Sequence, residues 1–399
     1  MLCTDATHKL TFHNYPVLPL GLADYHNHTF PIALGLCGHE RAADYKELLR
    51  SMDIGALRMG LLAHSPQFVM ADGDPAITAA VNEVFPNAGR SMCWFHMKRN
   101  VEDYMEKDLK MDDDAIFPIM RDLAYIQLAV TEQAFTKMFE LFNELYKDDH
   151  PSLLAYIRRQ WMENPPYNSW YEGFAPRLPS TNNSLESMNN QLKIKVLREK
   201  LPLGSFIAKI TQKIVYEYSL ALDSDLGTTD RVFEHIDEVK VPKTLFASAA
   251  RWASAEPMHI IRIPSTGGAY AFVRSRGASA SYLNLDHIHQ YLGTLFGTYE
   301  HQDFASMAGM ISKIYMITIP PNVSNWRHFY CTCPSFLKNK TCFHCIGIGS
   351  RQGLLNQEDR FSMPIQRNPR RQRRASKARK ALSRSLTLDA AAQDRFHHY

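Results

Sequence analysis

Four residues toward the C-terminal end have the types and spacing to hold a metal ion. The stretch YCTCPSFLKNKTCFHCIGI sets Cys331 and Cys333 one residue apart, then, eight residues on, Cys342 and His344 one residue apart. Three thiolates and an imidazole make a tetrahedral set for structural zinc. Four of the seven cysteines fall within fifteen residues, in a chain with no secretory pattern. That fits metal binding better than a disulfide framework. Cys345 could stand in for His344, but the C-x-H spacing ranks it behind. The plain alternative is a chance cluster of buried cysteines. The flanks suit the metal: YMITI and WRHFYCTC read as paired strands, and CFHCIGIGS as the start of a helix bringing in the last two ligands. So small a module buries little apolar surface, so metal binding is expected to carry much of its folding free energy.

A second chemistry would use oxygen ligands. Polynucleotidyl transfer uses two divalent cations about 4 Å apart, one activating the attacking oxygen and one stabilising the leaving oxygen. Hard ions such as Mg²⁺ take carboxylates, here from separate elements that converge. Asp5 follows a short apolar stretch, Asp72 ends the strand FVMAD, and Glu186 lies in TNNSLES, at the start of a helix. In an RNase H-like sheet the first strand lies beside the fourth, so carboxylates on those strands can meet while a helix supplies a third. Each residue also has an ordinary reading. Asp5 is a terminal residue, Asp72 could open a turn with Gly73 and Asp74, and Glu186 could complete a capping box from Asn183 or Thr181.

The elements that must position these residues form a mixed α/β pattern. Residues 16–37 read as a hairpin around DYHNHT, ERAADYKELLRSM as a helix, and QFVMA as a strand. DPAITAAVNEVF reads as a helix capped by Asp74, RSMCWF as a strand, and HMKRNVEDYMEKDL as a helix. The predicted fold is an RNase H-like mixed-sheet core interrupted by an all-helical insertion, then a small zinc-bound ββα module and a disordered basic tail. The predicted boundaries are 1–104 for the first part of the core, 105–180 for the insertion and 181–221 for the final core helix, which runs to about Leu220. A connector covers 222–314, the zinc module 315–352 and the tail 360–399.

Charge is unevenly placed. The stretch 367–384 holds nine Lys or Arg and no acid, and the rest of the chain has 36 basic against 41 acidic residues. Such a block attracts polyanions and can serve as a nuclear import signal; the plain alternative is a solvated tail. Arg370, Arg371, Arg373, Arg374, Lys377, Arg379 and Lys380 are the candidate DNA contacts. No apolar run nears the roughly 18 residues that span a bilayer, so no membrane association is predicted. No leader pattern is seen either, so secretion is not predicted.

Two resemblances follow from these motifs. C-x-C…C-x-H with Pro334 after the second cysteine resembles the SWIM-type zinc finger of transposase-derived and DNA-associated proteins, over roughly residues 315–350. DATHKL, ADGDPAITAAVNEVFP, CWFHMKRNV and TNNSLESMNNQLK, in that order, resemble the core of Mutator-like element (MULE) transposases over roughly residues 1–220. That resemblance implies an RNase H-like fold with a DDE triad at Asp5, Asp72 and Glu186, a helical insertion before the glutamate, and catalytic Mg²⁺ or Mn²⁺. It also matches Cys93 and His96 to the family's C-x-x-H, expected to support the active site or target strand; a core cysteine and a helix-start histidine is the ordinary reading.

The implied function is DNA cleavage and strand transfer, in the nucleus, on transposon ends and target DNA. Protein partners of the SWIM finger and oligomers are open. The alternative is a domesticated, catalytically weak nuclear protein that binds DNA or protein through the finger and tail. Only MLCT precedes Asp5, whereas the family usually carries a zinc-dependent DNA-binding domain there. The sequence therefore predicts a shortened first strand, a weakly held Asp5, and a truncated, decayed or domesticated product.

Overall fold

The computed structural model describes residues 1–23, 29–195, 199–211, 241–255, 258–262, 267–276, 278 and 283–363. The candidate DNA contacts Arg370 to Lys380 lie outside these residues.

Strands β1 (Leu2–Thr4), β2 (Val17–Ala23), β3 (Thr29–Leu36), β4 (Phe68–Ala71) and β5 (Gly89–Met92) form one mixed sheet in the order β3-β2-β1-β4-β5. The hairpin β2–β3 is antiparallel and β2 runs antiparallel to β1, whereas β4 runs parallel to β1 and β5 parallel to β4. β1 is short, yet it is laddered on both sides: Leu2 opposes Leu22 and Val69, and Cys3 opposes Gly21 and Met70. Two residues beyond Cys3 and Met70, Asp5 and Asp72 leave neighbouring parallel strands at the same end.

Alternation of side chains then assigns the faces. Leu2, Leu20, Val69 and Ala71 pack against Tyr45 and Leu49 of α1 (Ala42–Arg58) and Ile77 and Val81 of α2 (Pro75–Val84). Asp74 caps α2, accepting from the Ala76 amide at 2.6 Å, with Pro75 preset at the first helical position. Cys3 and Met70 point the other way, onto Cys93, Leu185 and Met188.

β5 stops at Met92, and Cys93 is the N-cap of α3 (Trp94–Asp103), so the strand read into CWF is helix instead. The Cys93 amide closes the β4–β5 ladder on the Ala71 carbonyl, and the next amide, Trp94, leaves the sheet to donate to Ser180. Two wide-turn segments, Tyr104–Asp108 and Arg158–Met162, bracket α4 (Asp113–Gln127), α5 (Glu132–Tyr146) and α6 (Pro151–Ile157). Met97, Val101, Leu123, Phe135, Phe142 and Trp161 form one core among them.

After this helical layer, α7 (Asn183–Lys195) carries Glu186 back under the sheet. The helix expected to reach Leu220 does not run through. Leu201 exchanges backbone hydrogen bonds with Leu10 and Phe12, and Pro202, which cannot donate a helical N–H, is the N-cap of α8 (Leu203–Lys209). The stretch from 212 to 220 lies outside the described residues.

The remainder is built on a second sheet. The elements are α9 (Lys243–Ala255), β6 (His259–Arg262), β7 (Ala269–Arg274), α10 (Leu285–Phe296), α11 (Phe304–Lys313) and β8 (Ile314–Ile319). They continue with β9 (Tyr330–Cys331), α12 (Pro334–Asn339), α13 (Phe343–Arg351) and α14 (Gln357–Ser362). The sheet order is β6-β7-β8-β9, antiparallel throughout.

The stretch read as a connector therefore supplies half of this sheet. The cysteine module is also less isolated than its length suggests. Phe246, Ala249 and Trp252 of α9 share a core with Ile317, Trp326, Phe329 and the four cysteines. Gly347 and Gly349 allow the approach: a Cβ would come within 2.6 Å of Trp252 at the first and 2.4 Å of Trp326 at the second. Phe304 and Met307 of α11 join the core of the helical layer, so this region is also packed against the first.

Candidate catalytic cleft and metal centre

The candidate site lies where the ends of β1 and β4 meet the first turns of α3 and α7. Asp5 Oδ1 accepts from the Ala6 amide at 2.8 Å, and Oδ2 lies 3.5 Å from Asn189 Nδ2. Asp72 Oδ1 accepts from the Asp74 amide at 3.1 Å, which fixes the turn before α2. The carboxylate thus opens a turn, as its ordinary reading had it, and faces the cleft as well. Glu186 lies one turn into α7, where an acid is favoured by the helix dipole. His96 Nε2 sits 3.2 Å from Glu186 Oε1. That is an ion-pair distance without hydrogen-bond alignment: Glu186 Oε1 and His96 Nδ1 are buried without hydrogen-bond partners.

The carboxylates feel one another. Burial, then the neighbouring Asp72 charge, pushes the Asp5 carboxyl up to about 7; the Ala6 amide opposes the rise, and Glu186 and Glu40 add smaller contributions to it. Burial also raises Glu186; His96 and Arg99 oppose the rise and Asp72 adds to it. Clustered, partly desolvated carboxylates of this kind gain from a cation that replaces their protons. Their oxygens are not drawn as close as the cysteine ligands, which form the one tight group of three or more ligating atoms among the described residues.

Neighbouring groups hold the frame. Arg90 is buried, and its guanidinium donates to the backbone oxygens of Ala71 (3.2 Å), Ser91 (2.5 Å) and Asp72. Burial lowers its pKa to about 10, so it stays cationic behind the Asp72 turn at neutral pH. Cys93 is buried, and burial pushes its thiol up to about 11, which excludes a ready thiolate. Its sulfur accepts from the Asn182 amide at 3.2 Å, so the C-x-x-H pair ties α3 to α7. Glu40, paired with His8 at 2.7 Å, is a further acid at the cleft that the motifs did not single out.

In the second region Cys331, Cys333, Cys342 and His344 are all buried, with ligand atoms within 4.8 Å of one another. His344 turns Nδ1 toward Cys331 Sγ at 3.8 Å. Burial pushes Cys331 and Cys333 well above an ordinary thiol. Burial alone would raise Cys342 too, but Cys331, Cys333, Cys345 and His344 direct hydrogen bonds at its sulfur and hold it well below. A dry pocket of three thiols and an imidazole, one already favoured as thiolate, could hold zinc. Cys345 Sγ lies 3.6 Å from Cys342 Sγ, outside the four-residue set but beside it.

The two regions are tied by buried charge. Lys340, between the two ligand pairs, reaches Glu172 Oε2 at 3.5 Å and also donates to the Leu337 carbonyl. Glu172 accepts from Gln127 Nε2 at 2.9 Å. Neither residue stood out in the sequence, because pairing partners so far apart leave no local pattern. Asn182 and Asn189 left one: with Glu186 they fall on one helical face.

The comparisons agree with this architecture. Residues 1–100 match the MULE transposase domain, and residues 60–206 match the transposase domain of the Mutator family. The chain is also 24% identical over 166 residues to the transposase for insertion sequence element IST2 of Acidithiobacillus ferrooxidans, a match covering 40% of this chain and 50% of that protein. It thus spans about half the length of the curated relative it matches. The matched residues include the first sheet and the helical layer that follows it. Over residues 1–206 the chain is thus similar to MULE and Mutator-family transposase domains.

Proposed function

We propose that the chain is a DDE transposase with an RNase H-like core, which cuts DNA at transposon ends and joins the freed 3′-hydroxyl to a target. The observation that supports this reading is the parallel β1–β4 pair, from whose ends Asp5 and Asp72 leave close enough for their charges and that of Glu186 to interact. The strand order β3-β2-β1-β4-β5, with an antiparallel hairpin and a parallel pair, supports the RNase H-like reading.

Asp5, Asp72 and Glu186 would hold Mg²⁺ or Mn²⁺; carboxylates that raise one another's proton affinity suit hard cations. Bound there, such ions supply Lewis acidity for phosphodiester cleavage and transfer. The chain's own part is to fix the three carboxylates: Arg90 behind Asp72, the Ala6 amide on Asp5, and His96 beside Glu186. The Cys₃His centre, with Cys345 as onlooker, would hold zinc in a SWIM-type module. The basic stretch Arg370–Lys380 would supply salt-dependent DNA affinity and a nuclear import signal.

The test is cleavage and strand transfer on transposon-end DNA by the zinc-loaded chain. Mn²⁺-dependent products that vanish in Asp72→Ala support the reading. DNA binding without products, unchanged by Asp72→Ala, would instead show a binding protein derived from a transposase.

A further inference from the structure

Helix α7 presents three polar side chains to the cleft at positions i, i+4 and i+7: Asn182 at its entry, then Glu186, then Asn189. Leu185 and Met188 between them, and Leu192 one turn on, are buried apolar anchors. The stripe is thus forced inward, not toward solvent.

Asn182 is fully buried, at 0% exposure. Its backbone amide donates to Cys93 Sγ at 3.2 Å, and its backbone oxygen accepts from the Glu186 amide at 3.0 Å. Its side-chain Nδ2 donates to the Thr4 carbonyl at 3.2 Å. One residue therefore touches three segments just before each delivers a group to the cleft. Asp5 follows Thr4 by one position, His96 follows Cys93 by three, and Glu186 follows Asn182 by four.

Asn189 is 5% exposed, and its Nδ2 is the side-chain donor to Asp5. The Oδ1 atoms of both asparagines are buried without partners. A buried amide oxygen without a hydrogen-bond partner is destabilising, so packing alone would favour a leucine or methionine at these sites. Two such amides on the face that carries Glu186 point to a role in geometry.

We propose that Asn182 and Asn189 are the positioning residues of the catalytic cluster. Asn182 locks the ends of β1, α3 and α7 in register, and Asn189 orients the Asp5 carboxylate toward Glu186. The proposal rests on the reading of Asp5, Asp72 and Glu186 as a divalent-cation site. Neither asparagine touches Asp72, whose frame is Arg90 and the Asp74 amide, so the two halves of the cluster are held separately.

The test uses the zinc-loaded full chain and the variants Asn182→Leu, close in volume but without the amide, and Asn189→Ala, the milder change should the first fold poorly. Two readouts are taken: amide hydrogen exchange across the chain, and the half-saturating Mn²⁺ concentration for binding and for DNA cleavage. In Asn182→Leu, exchange is expected to speed up at residues 1–10, 93–100 and 181–190 together, leaving the second sheet unchanged. Both variants are expected to need roughly 10- to 100-fold more Mn²⁺, with the KM for DNA within about twofold.

Unchanged exchange in Asn182→Leu overturns the locking role. Loosened exchange with unaltered Mn²⁺ dependence in both variants overturns the positioning role and leaves ordinary structural residues. If wild type itself binds no Mn²⁺, the cation-site reading fails and the proposal falls with it, an outcome separated from the others because it appears without any substitution.

Discussion

The two candidate centres are built in opposite ways. The Cys₃His ligands come from fourteen consecutive residues and close to within 4.8 Å of one another before any metal is considered. The carboxylates come from positions 5, 72 and 186, and their oxygens stand further apart, held by backbone amides, a buried arginine and two carboxamides. A structural metal contributes most when its ligands meet in one place. A catalytic cluster must instead leave room for substrate and keep its like charges apart until cations arrive. Tightness marks the first site and controlled openness the second.

The contrast can be broken most forcefully at the sulfur cluster. Cys342→Ser removes the ligand on which the other donors converge. It should abolish stoichiometric zinc and unfold the second sheet, since binding of a structural zinc is worth on the order of 10 kcal/mol in small modules. The shared core with Phe246 and Trp252 softens this relative to an isolated finger, so some α9 helicity should survive in circular dichroism. Complete retention of near-ultraviolet signal without zinc would show that the metal is not structural.

At the other site, Asp72→Ala should reduce cleavage more than roughly 100-fold, beyond the loss usual for an outer partner of a metal. Zinc content should stay at wild-type level, because no bonded path from Asp72 enters the cysteine cluster. Zinc loss in this variant would mean that the two regions are one cooperative site.

Lys340→Met tests the tie between them. It strands Glu172 as a buried charge, and breaking such a pair costs about 3–5 kcal/mol. Glu172→Gln in the same chain should recover most of that loss, measured as the denaturant midpoint. Failure of the double variant to recover would place the cost in Lys340 packing and not in the ion pair.

The smallest effect is electrostatic. Asp5 titrates near 7 in the fold, against 3.8 for its ordinary value. Because the folded value is the raised one, its contribution to stability is full below about 4 and is lost as pH rises through about 7. Without divalent cations, Asp5→Asn should therefore match wild type at pH 4 and melt a few degrees higher at pH 8. Saturating Mg²⁺ should reverse the order, and equal melting curves at pH 8 would remove Asp5 from the crowded cluster.

Legibility in the sequence followed the same division. C-x-C…C-x-H could be read because its ligands are local, and Asp74 because a cap sits beside the helix it starts. β4 ends at Ala71, one residue short of the Asp72 end read from FVMAD, because Asp72 already belongs to the turn before α2. The helix from Asn183 could not be followed to its end, because Leu201 is captured by the segment around Leu10 and Phe12, nearly two hundred residues earlier. The region called a connector was opaque for a similar reason: β6 and β7 gain their meaning from β8, and two short strands without their partner carry little pattern. Arg90, Glu172 and Lys340 were invisible because burial of charge is a tertiary event. The expectation of a weakly held Asp5 counted residues in β1, whereas the hold comes from the strands on either side and from α7.

Titration of Mn²⁺ into the zinc-loaded chain at pH 8, followed by calorimetry in parallel with zinc analysis, tests the central claim most directly. Wild type is expected to bind Mn²⁺ saturably and Asp72→Ala and Glu186→Gln to lose that binding, while one zinc per chain remains in all three. Equal Mn²⁺ binding in wild type and both variants would contradict it.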